Sequence, residues 1–475
     1  MTLRGSGTDV LFMTFHAINP ASGELLYETA SLSLAQRETL LARIAAEQLV
    51  WRRASLSSRA RFITALGAAL RSHRAALADA LALEMGKPIA AARAEVDKCA
   101  GLCDVAPAMA AIALADEVVQ DDAQATVRVR HDALGNVLAI MPWNFPYWQA
   151  LRFAVPALLA GNGVLIKPAS SVPGPARLLD ECFADARRAV ANSDTPEAPC
   201  HIALLDQDTL DDVIADARIA GVTLTGSDRA GRHVAQVAGQ HLKKVVLELG
   251  GSDPFIVLPS ADIDRAASVA VAARTVNSGQ SCVAAKRFIV CDAIYDNFLA
   301  QFSDGMRALV VGDPRDERTQ VGPIATASVR DALAQQVRRS LAQGARAVVG
   351  GDADGHAGFF FPPTVLVDIP LQSPAACEEL FGPVASVFRA RNADHALTLA
   401  NDSPFGLGAS VWTRDADEAQ RFASALDAGM IFVNDMVASD PRYPFGGIKQ
   451  SGVGRELGLV GFREFTNVKT VHVLH

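Results

Sequence analysis

From about residue 32 to residue 115, apolar side chains recur at spacings of three and four, with arginines on the opposite face. That period predicts helix. Gly86, Lys87 and Pro88 interrupt it once. Ahead of it, the run Asn19-Pro20-Ala21-Ser22-Gly23-Glu24 predicts a turn between two short strands. At 126–130 the residues alternate strictly, which predicts a strand with one wet face. The texture then changes. Continuous apolar runs at 135–141, 163–167, 219–225 and 244–249 are bounded by glycine or proline, with helical stretches at about 147–160, 174–190, 208–217 and 228–240. Short, fully apolar strands alternating with helices predict a parallel, doubly wound sheet covered on both faces. After Gly250-Gly251 the alternation resumes, with strands expected at 254–258, 287–290, 347–349, 364–367, 384–388, 409–412 and 431–433. The tail, 465–473, alternates again and needs a partner strand, either the one at 126–130 or one from another subunit.

At 475 residues the chain exceeds one core, so two or three domains are expected. Half the residues are hydrophobic and a fifth are charged, as in a soluble globular protein. The net charge of −8 argues against nucleic acid as a partner. The first residues lack an apolar signal core, and the longest charge-free run, 133–151, is broken by Pro142 and Pro146. A cytoplasmic protein without membrane contact is therefore expected. The seven cysteines include no Cys-x-x-Cys pair, and Cys99 and Cys103 have no histidines nearby, so no metal site is expected.

One cysteine has a distinctive setting. Asn277-Ser278-Gly279-Gln280-Ser281-Cys282 leads through small residues and a glycine to a thiol, with an apolar strand soon after. Asn144, between Trp143 and Phe145 and flanked by Pro142 and Pro146, follows a strand and suits an oxyanion donor. Glu248, among apolar residues before Gly250-Gly251, suits a base with a raised pKa. Lys167 at a strand end suits ribose hydroxyls, and Gly226-Ser227 at a helix start suits phosphate. Glu379, with Phe381 beside it, suits a second sugar. Each has a plain alternative: a buried thiol, a proline-rich turn packing aromatics, or a strand-end charge in solvent. The Gly-x-Gly-x-x-Gly fingerprint is absent, and Arg232-His233 spoils a phosphate loop at Gly226. The segment around Ser281 lacks the last glycine of a serine-hydrolase elbow.

Taken together these stretches resemble the NAD(P)-dependent aldehyde dehydrogenase superfamily. The likeness continues through Glu379-Leu380-Phe381-Gly382-Pro383, Pro444-Phe445-Gly446-Gly447-Ile448-Lys449 and Ser451-Gly452-Val453-Gly454-Arg455-Glu456. The segments 249–257 and 284–288 look most like bacterial succinate-semialdehyde dehydrogenases. The resemblance implies two doubly wound α/β domains plus a small β element for oligomerisation. The dinucleotide domain would comprise 1–120 and 138–249, the catalytic domain 250–440, and the oligomerisation element and tail 121–137 and 441–475. A homodimer or homotetramer is implied.

The implied chemistry has Cys282 as nucleophile, Asn144 and the Cys282 N–H at the oxyanion, and Glu248 as the base that hydrolyses a thioester. Glu456 is an implied proton relay. Trp143, Lys167, Ser170, Gly226, Ser227, Leu249, Glu379 and Phe381 would bind the cofactor. Ser170 stands where many NAD-preferring relatives carry a glutamate, so NADP, or NAD, is expected to be accepted. Arg152, with Ser439 or Arg442 assisting, would bind a substrate carboxylate. Val276 stands where some succinate-semialdehyde enzymes have another arginine, and Ser252 where many relatives have lysine or asparagine. The expected reaction is succinate semialdehyde to succinate. The alternatives are another short aldehyde, glutarate semialdehyde or aliphatic, or a non-catalytic protein of the same fold.

Overall fold

The computed structural model describes residues 14–352 and 358–475. Its architecture is mixed α/β and is organised by two large sheets. The first runs Gly452–Val453, Lys244–Glu248, Ile219–Thr225, Asn136–Ile140, Gly163–Lys167, Cys200–Ile202 in spatial order. All neighbours are parallel except the first pair. The chain enters this sheet at Asn136–Ile140, winds to one side, and returns to the other. The crevice between Asn136–Ile140 and Ile219–Thr225 is thus a switch point, where open α/β sheets bind ligands beyond their carboxyl ends.

Strand periodicity builds the cores on the two faces. Val137 and Ala139 point into one apolar cluster and Leu138 into another. The second sheet runs Arg346–Val349, Thr364–Val367, Val384–Ala390, Arg287–Cys291, Pro254–Val257, Gly408–Trp412, Met430–Val433. Phe255 and Val257 face one core, and Ile256 with Leu258 the other. Full burial of such side chains contributes about 1.5–3 kcal/mol each.

The tail strand Thr466–Leu474 pairs antiparallel with Ala125–Ala133, from Thr466 opposite Ala133 to Leu474 opposite Ala125. Glu117–Asp121 adds the third strand of this small sheet. It begins before the expected boundary at 121, because all five of its residues are exposed and carry no inward apolar alternation. Between 441 and the tail strand, Ile448–Lys449 pairs with Phe405–Gly406 in a small sheet of its own, and Gly452–Val453 joins the first large sheet at the end of Lys244–Glu248.

The helical region has more breaks than the one expected. It forms Leu34–Trp51, Leu56–Ser72, Arg74–Glu84 and Ile89–Ala113. Ser55 caps the second of these by accepting from the Ser58 N–H. Alanine-rich periodicity hides such a cap, since the apolar stripe resumes in phase. Cys200–Ile202 also escapes the sequence pattern, being three residues long. Among the described residues no helix is long and apolar enough to cross a membrane.

Candidate active site

The candidate nucleophile sits on a strained turn. Helix Ile263–Thr275 ends into Val276–Gly279, where Asn277, Ser278 and Gly279 take φ of 54°, 56° and 78° in succession. A Cβ on Gly279 would lie 2.3 Å from the Gly382 backbone, so no other residue fits. Buried polar contacts hold the rest. Arg274 Nη2 donates to the Gly279 carbonyl (2.8 Å), and the Asn277 amide to the Asn144 carbonyl (2.9 Å). Ser278 Oγ accepts from the Gly322 N–H and Gln280 Oε1 from the Ala325 N–H, each at 2.9 Å. Such strain persists only where the surroundings over-determine it.

Asn144 stands just past the carboxyl end of Asn136–Ile140, beside the switch point. Its Nδ2 donates to the Gln280 carbonyl at 3.0 Å, and its Oδ1 accepts from the Phe145 N–H. One amide hydrogen therefore pins Asn144 to the Cys282 turn, and the second remains for a ligand. Cys282 is half-buried, yet dehydration pushes its thiol up to about 12. Arg152 and Lys286 pull that value down, while Glu379 and Glu248 raise it.

Glu248 ends its strand with 2% exposure, and neither carboxylate oxygen has a hydrogen-bond partner among the described residues. Burial drives its pKa well above the carboxylate range; Arg152 opposes this and Glu456 adds to it. Gly446 leaves the room that Glu248 occupies, since a Cβ there would lie 2.7 Å from Oε1. Glu456 is also buried and raised, chiefly by desolvation, and forms an ion pair with Arg152.

Cys282 opens onto a cavity of about 290 Å³ between helices Ile89–Ala113 and Pro146–Leu159 and the loop after Met430–Val433. Its walls are mostly apolar, with cations at intervals. Arg152 lines it at 2% exposure, stacked 4.4 Å over the Phe445 ring, and its Nη2 has no hydrogen-bond partner among the described residues. Ser439 lines it too, accepting from Lys98 Nζ (2.6 Å) and Trp148 Nε1 (3.0 Å). Val276 contributes an apolar wall. Arg442 does not join them. It is 76% exposed and turned onto Asp440, at 2.8 and 2.7 Å. Adjacency along the chain misled here, because Asp440 two residues away outcompetes the cavity. Ser252 is buried, and its carbonyl accepts from Arg287 Nε; nothing in the structure explains its choice over lysine or asparagine.

Sequence reasoning missed three cavity residues. Lys98 lies 4.2 Å over the Trp148 ring, and its pKa is lowered to about 8 by burial and by Arg152. Lys87 and Glu95 form a buried ion pair, with Lys87 3.8 Å from the Phe145 ring centroid. Glu95 also accepts from the Tyr147 and Trp148 N–H groups, capping the helix that carries Arg152. A buried charge in a long alanine-rich helix was the available signal.

Trp143, Lys167, Ser170, Gly226, Ser227 and Leu249 stand at or just past the carboxyl ends of neighbouring strands of the first sheet, whereas Glu379 and Phe381 come from the segment before Val384–Ala390 of the second. The Lys167 ammonium makes no hydrogen bond or ion pair among the described residues, and burial lowers its pKa. Gly226 and the exposed Ser227 begin helix Asp228–Gln240, with Ser227 Oγ accepting from the Ala230 N–H. Leu249 fills the space over Gly231, where a Cβ would meet it at 2.5 Å. Ser170 is exposed. Trp143 and Phe381 meet edge to face at 5.6 Å. Glu379 Oε1 accepts from the Gly251 N–H (3.1 Å), and Oε2 has no hydrogen-bond partner among the described residues. An unpartnered cation, an open helix start and a spare carboxylate oxygen fit a dinucleotide.

The fold and this arrangement define a doubly wound α/β protein with a cysteine at the mouth of a dinucleotide-type crevice. The chain belongs to the aldehyde dehydrogenase family, which it matches over residues 10–471. It is 45% identical over 464 residues to the NADP-type succinate-semialdehyde dehydrogenase 1 of Mycobacterium tuberculosis, covering 97% of this chain and all of that one. It is 46% identical to the NAD(P)-type succinate semialdehyde dehydrogenase of Escherichia coli, covering 96% and 97%. A crystal structure of succinic semialdehyde dehydrogenase from Streptococcus pyogenes with NADP superposes with a TM-score of 0.92 at 33% identity, covering 97% and 100%.

Proposed function

We infer that this protein oxidises succinate semialdehyde to succinate with NADP, or NAD, as acceptor. One observation carries the substrate reading: Cys282 and Arg152, a buried arginine with a spare donor, line the same small cavity. Lys98 and Ser439, bonded to each other, line the same cavity, so the space that holds the thiol also offers groups able to receive an anion. The full-length identity to two enzymes of that name supports it.

The Cys282 thiol releases its proton to solvent, and the thiolate attacks the aldehyde carbon, forming a thiohemiacetal whose oxygen carries the negative charge. Asn144 Nδ2 and the Cys282 N–H receive the oxyanion, an effect of roughly 3–4 kcal/mol on the barrier. When bound, the nicotinamide cofactor supplies the hydride acceptor, held through Lys167, the Gly226-Ser227 helix start and Glu379. Loss of hydride leaves a thioester on Cys282. Glu248 takes a proton from water, the water adds, and the acid departs with the thiol restored. Glu456, sharing Arg152 with Glu248, relays that proton. Ser170 carries no negative charge to repel a 2′-phosphate. An NAD preference above about a hundredfold in kcat/KM would overturn the NADP assignment. The small sheet, with Val118, Val119, Val468 and Leu474 exposed, is the surface through which copies assemble. We place the protein in the cytoplasm.

A panel of aldehydes followed by cofactor absorbance tests the substrate. Arg152→Met is expected to lower kcat/KM for succinate semialdehyde roughly a hundredfold, about 2.8 kcal/mol, mostly through KM. Butanal should lose far less. Equal losses would remove the carboxylate role.

Lys98 adds a pH signature. It is charged below about 8 and neutral above, with Arg152 disfavouring its charge and Glu95 and Asp440 supporting it. KM for the anionic aldehyde should therefore rise as pH passes that value, while KM for butanal stays level. Lys98→Met should flatten the difference.

A further inference from the structure

Lys286 lies four residues past Cys282, and its side chain is 1% exposed. Its ammonium donates to the Ser281 carbonyl (2.9 Å) and the Cys282 carbonyl (2.7 Å), and pairs with Glu379 Oε1 (3.1 Å). Three donors meet three acceptors. Two acceptors belong to the nucleophile's own turn. The third is the carboxylate whose other oxygen is spare. The corner is crowded: a Cβ on Gly251 would lie 2.8 Å from the Cys282 carbonyl, and the Gly251 N–H donates to the same Glu379 oxygen. Asp253 accepts the Lys286 and Arg287 N–H groups through its backbone carbonyl.

Burying an ammonium is costly, and well-packed apolar residues often serve stability as well as a buried ion pair does. The peptide geometry indicates another use. The Ser281 carbonyl and the Cys282 N–H share one peptide plane, and the chain contains no cis peptide among the described residues. In a trans peptide those two groups point in opposite directions. Lys286 Nζ (2.9 Å) and the Ala284 N–H (3.2 Å) both hold the Ser281 oxygen, and together they aim the Cys282 N–H, which makes no hydrogen bond among the described residues.

We propose that Lys286 is a positioning residue for the nucleophile: it aims the Cys282 N–H toward the oxyanion, places a positive charge beside the thiol, and ties both to Glu379. This rests on Cys282 being the nucleophile, and it extends that reading to the group that orients it. The charge acts in the direction required, since Lys286 favours the thiolate and Glu379 disfavours it.

Alkylation of the free enzyme by iodoacetamide, with the Cys282 peptide followed by mass spectrometry, reads this without turnover. At about pH 8, Lys286→Met should slow Cys282 alkylation roughly tenfold, and Glu379→Gln should speed it several-fold. Lys286→Arg should stay near wild type. In turnover, Lys286→Met should lose kcat at least about tenfold with little change in KM. A purely structural lysine would give no opposed shifts. Coincident alkylation rates for wild type, Lys286→Met and Glu379→Gln would overturn the proposal. Should the methionine variant not fold, Glu379→Gln decides alone, and an unchanged rate refutes it. A turnover-competent Cys282→Ala enzyme would instead sink the underlying mechanism, whatever the alkylation rates.

Discussion

Cys282→Ala is expected to cut turnover by on the order of 10⁴-fold or more while leaving the fold intact. The turn that presents the thiol is held by groups other than the sulfur: Arg274, Asn277, Ser278 and Gln280 make its hydrogen bonds, and Gly279 sits against Gly382. Removing one half-buried sulfur leaves these in place, so the melting temperature should shift by no more than a few degrees. No acyl adduct should appear by mass spectrometry. Cofactor reduction at the wild-type rate would refute the nucleophile. The free thiol is pushed up to about 12, so inactivation of wild type by alkylation should accelerate with rising pH across the neutral and mildly alkaline range.

Glu248→Gln should separate the two halves of the reaction. The first aldehyde equivalent should still reduce cofactor in a burst, and steady-state turnover should fall about 10²–10⁴-fold as acyl-enzyme accumulates. A steady state at the wild-type rate would remove Glu248 as the base. The pH dependence has a definite sign. Burial holds the Glu248 proton well above its ordinary value of 4.5, so the basic form grows as pH rises beyond the usual carboxylate range. Wild-type kcat should therefore climb with pH there, and the glutamine variant should be flat. Stability runs the other way. The folded chain binds this proton more tightly than the unfolded chain, so ionising Glu248 lowers stability as pH rises above 4.5 toward the raised value. Chemical denaturation across that window should show less loss in Glu248→Gln.

The same buried carboxylate explains the neighbourhood. Glu248 and Glu456 are both raised, and Arg152 opposes both. Arg152 therefore lies where the Cys282 cavity and this pair of buried carboxylates meet, with Phe445 under its plane. Its replacement should alter the pH profile of kcat as well as KM for the anionic aldehyde.

Much of this was readable along the chain. Strands such as Gly163–Lys167 and Ile219–Thr225 appear at the expected residues, because a strand buried on both faces must be apolar throughout and must stop at glycine or a polar end. The Cys282 turn was legible for a similar reason: Gly279 has no room for a side chain. The tail strand announced itself by alternation and found the alternating strand Ala125–Ala133. Other features depend on what lies across space. Arg152 and Arg442 look alike in sequence. Tertiary packing gives the first Glu456, Phe445 and a cavity, while the second turns to Asp440 in solvent. Lys98 and Lys286 carry no local signature, since their roles come from partners hundreds of residues away or folded back across a turn. Local patterning determined the strands, the helices and the glycines, because sterics and burial act residue by residue. Only the tertiary structure decided which charges lose their water and which partners meet them, because desolvation and pairing act across space, and that sets the surroundings of Glu248, Arg152 and the Cys282 turn.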